Sequence, residues 1–125
     1  GSCWFMKKSY FHFLELMDQG SYGPFWNEAQ EIGLKAWLSG GRVMTSKKAW
    51  YAHLHKGKKF GRGYRLNETW LQKGSAKTME WLTFGKAWHK QTIPLQDLIE
   101  KFAPVPTWHD PKTGKLFDSL KDIFK

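Results

Sequence analysis

The sequence predicts a mixed α/β chain, and three features carry that expectation. Runs rich in β-branched and aromatic residues read as short strands at "SCWFM", "RVMTS" and "AWYAHLH". Apolar residues recur at helical spacing in "NEAQEIGLKAWL" and "PLQDLIEKF". Glycine, proline and serine clusters separate the two kinds of segment.

Taken in order, "SCWFM" is expected to be a buried strand. "SYFHFLELMD" follows as a short helix with Ser9 as N-cap and Phe11, Leu14 and Met17 on one side. "QGSYGPFW" reads as a loop carrying Tyr22, Phe25 and Trp26. Asn27 is placed to cap the next helix, with Gln30 completing a capping box. That helix runs to about Leu38 with a stripe of Ala29, Ile32, Gly33, Ala36 and Trp37, and Ser39-Gly40-Gly41 ends it.

Two strands are then expected around a turn at Lys47 and Lys48. Alternation in the second puts Trp50, Ala52 and Leu54 on one face and Tyr51, His53 and His55 on the other. "KGKKFGRGYR" reads as a basic, glycine-rich loop. "ETWLQKG" and "TMEWLTFGKAW" read as two short helices. "PLQDLIEKF" is a clearer one, with Leu95, Leu98, Ile99 and Phe102 in register. A proline-rich connector leads to a closing amphipathic helix, "LFDSLKDIFK". A division into residues 1–65 and a helical extension, 66–125, is expected.

The 125 residues fit one compact domain, and 41% hydrophobic content supplies a core. The net charge is +9, and Lys47 to Arg65 carries +7 of it with no acid. Such a segment points to an anionic partner: phosphate, nucleic acid or a membrane surface. Cys3 is the single cysteine, which excludes an internal disulfide and a thiolate zinc site and fits a reducing compartment. No apolar run approaches a spanning helix, and no signal-peptide pattern is present. P-loop, dinucleotide and serine-nucleophile motifs are absent.

Each candidate functional residue also has an ordinary explanation. Glu28 and Glu31 fit a helix N-terminus, where a carboxylate favours the dipole, and Glu31 stands four residues before Lys35. As functional groups they are carboxylates aimed into a pocket. His53 and His55 share a strand face, where two imidazoles can approach one metal ion or simply face solvent. Lys56, Lys58, Lys59, Arg62 and Tyr64 form either a solvated loop or a lid over phosphates.

In order, "GSCWFMKKSYF", "FWNEAQEIGLKAWLSGG" and "YAHLHK" resemble the second half of the catalytic domain of family 2-type glycosyltransferases of the GT-A fold. The likeness is greatest to the polypeptide N-acetylgalactosaminyltransferase branch and its bacterial and phage relatives. Glu28, Glu31, Trp37, Gly40, Gly41 and His53 fall on the motif positions, with Glu31 and His53 22 apart. The resemblance implies transfer of a sugar from a nucleotide-sugar donor. It also implies a divalent cation, Mn²⁺ or Mg²⁺, at His53 and His55. Glu28 and Glu31 would be catalytic, and Trp26, Trp37, Lys56, Lys58, Lys59, Arg62 and Tyr64 would hold the donor. Ala29 stands where inverting members carry an acidic base, which leaves Glu28 as base, a retaining reaction, or lost activity. No Asp-x-Asp or Asp-x-His occurs in the chain. The resemblance therefore implies a fragment inactive without an N-terminal half, or one that self-associates. It also implies a cytoplasmic setting, in a bacterial or phage-infected cell.

A second expectation needs no resemblance. The basic segment, interleaved with Trp50, Tyr51, Phe60 and Tyr64, suits a nucleic-acid backbone and its bases. A phage enzyme glycosylating modified DNA would combine the two. Attachment to a membrane surface is a third.

Overall fold

The computed structural model describes residues 3–23, 27–53, 67–84, 87–103 and 112–113. Among them run five helices: α1 Lys8–Phe13, α2 Gln19–Tyr22, α3 Glu28–Leu38, α4 Glu68–Phe84 and α5 Leu95–Phe102.

No strand or sheet occurs among the described residues, which corrects the expected α/β, GT-A-type architecture. The physical reason is specific. A strand is defined by a neighbour, and a short isolated pairing is marginal in water. Residues 3–6 and 42–45 lie outside the helices and make no backbone hydrogen bond. A turn forms at Lys47 and Lys48, but no strand is formed by the described residues either side of it. The closing amphipathic segment and most of the proline-rich connector lie outside the described residues.

Two helices end in the same hydrogen-bonded motif. At the end of α3, Gly41 N–H donates to the Ala36 carbonyl at 2.9 Å and Gly40 N–H to Trp37 at 3.2 Å. Gly40 has φ 86°, the left-handed conformation this Schellman stop requires. At the end of α1, Leu16 N–H donates to Phe11 at 3.4 Å and Glu15 N–H to His12 at 3.1 Å. Here the left-handed place is held by Glu15, with φ 52°. A side chain there costs about 1 kcal/mol relative to glycine, so other contacts must hold it.

The expected pair of short helices after residue 66 is one continuous helix, α4, which passes through Gly74. Gly74 faces the Asn27 amide and the Tyr22 carbonyl, where a Cβ would collide with both. The glycine lets α2 and α4 approach closely.

Leu14, Leu16, Ile32, Ala36, Leu38, Trp81, Trp88, Leu95 and Ile99 form the core. The Leu38 carbonyl accepts from the N–H groups of Thr92, at 2.8 Å, and Ile93, at 3.0 Å. That fixes the segment leading into α5 against the end of α3. No helix among the described residues is long and apolar enough to cross a membrane.

Candidate functional site

Helix α3 positions the first candidates. Asn27 is its N-cap, but the side chain makes no capping bond. The amide lies instead against Gly74, buried, with its nitrogen unpartnered among the described residues. The capping box expected with Gln30 is therefore not formed.

Glu31 is fully enclosed. Its Oε1 meets Lys35 Nζ at 2.7 Å and accepts from Asp18 N–H at 3.3 Å, and its Oε2 accepts from Met17 N–H at 3.1 Å. Lys35 also donates to the Glu15 carbonyl at 2.7 Å and lies 5.5 Å from the Trp88 ring centroid and 5.8 Å from that of Tyr22. A buried ion pair survives only when its remaining donors and acceptors find partners. Here they are supplied by residues 15–18, where Met17 is also left-handed at φ 64°. The pair thus holds a strained loop across α3.

Glu28 differs. It is half-buried in the first turn of α3, and its carboxylate makes no hydrogen bond or ion pair among the described residues. It lines a small pocket of about 120 Å³ with Asp18, Tyr22, Asn27 and Glu31. Hydrogen bonding from the Ser21 side chain, with the Ser21 N–H donating at 3.0 Å beside it, holds the Asp18 carboxyl below its ordinary range. Burial pushes the Tyr22 phenol up to about 12, although the bond donated to it by Trp81 Nε1, at 2.8 Å, opposes the shift.

Trp37 lies away from this pocket. It packs edge-on against Phe102 of α5 at 5.2 Å, with Lys101 Nζ 4.8 Å above its ring. His53 is exposed. Trp26, His55, Lys56, Lys58, Lys59, Arg62 and Tyr64 lie outside the described residues. Of the expected site, then, Glu28 and Glu31 share a pocket, while Trp37 and His53 stand elsewhere. Among the described residues no three His, Cys, Asp or Glu side chains gather to hold a metal.

A second feature was not foreseen from the sequence. Glu15 gathers three partners: Lys90 Nζ at 2.7 Å, Trp88 Nε1 at 3.1 Å and His89 Nε2 at 3.2 Å. The bond from Lys90, then that from Trp88, holds its carboxyl down at about 2. This clasp keeps Glu15 in its left-handed place and ties α1 to the segment before α5. No local pattern signals it, because its partners are more than seventy residues away in the chain.

A broad groove of about 1130 Å³ opens between residues 3–14 and 42–51. Leu14, Ile32 and Ala36 are among the residues lining it, and Lys7 and Arg42 are its charged lining groups among the described residues.

No protein-family model, characterised protein or solved structure matches the chain.

Proposed function

We propose that this chain is a portion of a glycosyltransferase that draws its sugar from a nucleotide donor, with Glu28 as the working carboxylate. One observation carries the choice of residue. The motif offers two glutamates, and only Glu28 keeps its oxygens uncommitted among the described residues; those of Glu31 are engaged by Lys35 and two backbone amides. A half-buried carboxylate at a pocket can accept a proton from an acceptor hydroxyl or steady charge at the reacting sugar carbon. The ordered likeness from Glu28 to His53 supports the same reading. The nucleotide-binding aspartates are not among these 125 residues, so further protein, a second half or another copy, would have to supply them. A single, exposed Cys3 suits a reducing, cytoplasmic setting.

The test is turnover of nucleotide-sugars by the natural protein that carries these residues. Glu28→Gln is expected to lower kcat about 100-fold or more with an unchanged melting temperature, whereas Glu31→Gln should chiefly lower stability. Full turnover by Glu28→Gln removes that residue from the reaction. Failure to turn over any nucleotide-sugar removes the reading.

One observation favours a second reading, nucleic-acid binding. Trp50, at 89% exposure, and exposed Tyr51 stand beside the Lys47–Lys48 turn. Flat rings next to cations can stack bases and neutralise phosphates. Binding of an oligonucleotide that weakens steeply with salt would support it, and no binding at low salt would sink it.

A further inference from the structure

The groove between residues 3–14 and 42–51 has an unusual border. Residues 3–6 and 42–45 belong to no helix, and none of their backbone N–H or C=O groups makes a hydrogen bond. Their side chains favour strands: Trp4, Phe5 and Met6 on one side, Val43, Met44 and Thr45 on the other. Both segments line the groove, whose lining also includes the core residues Leu14, Ile32 and Ala36. Phe5 is 93% exposed and Met44 78%.

We propose that this groove takes up an extended polypeptide segment, apolar on one face and acidic at its ends, as an added strand. The inference does not depend on the sugar-transfer reading.

The unpaired backbone at the border suits a polypeptide. Unpaired backbone offers alternating donors and acceptors, which another backbone in extended conformation matches group for group. A phosphate chain offers acceptors only and would meet the carbonyls as like poles. Unpaired backbone of this kind is a natural template for pairing.

The charge argument identifies the sign. Among the described residues Lys7 and Arg42 line the groove and no carboxylate does, and Lys8, Lys47 and Lys48 flank it in sequence. An acidic segment complements that border. A second copy of this chain, at +9, is repelled by it.

The probe is a ten-residue peptide alternating valine with glutamate, added at up to millimolar concentration to the full chain. Amide hydrogen exchange at residues 3–6 and 42–45 is the readout. Without peptide these amides should exchange at unprotected rates. With it they should slow at least tenfold, and a peptide N-methylated at alternate residues should lose binding at least tenfold. Phe5→Pro and Met44→Pro each delete one unpaired N–H at an exposed position. Each should keep the melting temperature, and at least one should bind the peptide tenfold more weakly. The proposal is overturned if exchange is unchanged at millimolar peptide, or if the N-methylated peptide binds equally. It is also overturned if a twelve-residue oligothymidylate protects these amides and the peptide does not.

Discussion

Glu31 and Lys35 meet at 2.7 Å, one turn apart on α3, with each side chain only 3% exposed. On a surface such a pair contributes a few tenths of a kcal/mol. Enclosed, it becomes a point where the removal of either partner strands a charge.

Lys35→Met leaves the Glu31 carboxylate buried beside Met17 and Asp18 with no cation. The expected loss is about 3–5 kcal/mol, read from urea unfolding. The double variant Glu31→Leu, Lys35→Met should recover part of that loss. If the single variant costs less than about 1 kcal/mol, the pair is not buried in solution as described.

Glycines in two helices should respond in opposite directions. Gly33, inside α3, has open space where a Cβ would go. Gly33→Ala should stabilise by about 0.5–1 kcal/mol. Gly74, inside α4, meets the Asn27 side chain and the Tyr22 carbonyl there. Gly74→Ala should destabilise by about 1–3 kcal/mol despite alanine's better helix propensity. Thermal melts of the two variants side by side give the comparison.

The Glu15 clasp makes stability depend on acid. Its carboxyl titrates at about 2 in the folded chain against an ordinary 4.5. The folded value is depressed, so the contribution is complete above about pH 4.5 and is lost as pH falls through about 2. Carbon NMR of the Glu15 carboxyl should place its midpoint near the lower value. Lys90→Ala, which removes the largest cause, should move it upward. A midpoint that does not move would assign the shift to other groups.

Tyr22 sets the alkaline limit. Burial raises its phenol to about 12, so it stays neutral in the fold where an unfolded tyrosine near 10 would ionise. The stability it contributes is complete below about pH 10 and declines as pH rises through about 12. Ultraviolet titration should show one tyrosine ionising late, and Tyr22→Phe should remove that late step.

What could be read in the sequence depended on how local its cause was. The span of α3 and its stop at Gly40-Gly41 were legible, because helical apolar spacing and a left-handed glycine act within a few residues, even though the Asn27 side chain forms no cap. Helix α5 was legible from the clean spacing of Leu95, Leu98, Ile99 and Phe102. Helix α4 was misread as two, since Gly74 looks like a breaker until Asn27 is seen packing against it. The strands were not decidable, because "CWFM" and "RVMTS" have strand composition and no partner. At the site, the Glu31–Lys35 spacing was visible but its burial was not: the amides of Met17 and Asp18 that complete it come from another segment. The clasp of Glu15 with Trp88 and Lys90 had no local sign at all.

Trp81 and Trp88 are the two buried indoles among the described residues, 6.5 Å apart and inclined at 49°. Trp4, Trp50 and Trp70 face solvent in part or in full. Two chromophores that close and oblique couple their excited states, so their paired circular-dichroism band reports one place in the molecule, where α4 meets the segment before α5. Total fluorescence blends that place with the outlying rings. The chain therefore carries an optical gauge of its own interior, readable without any label.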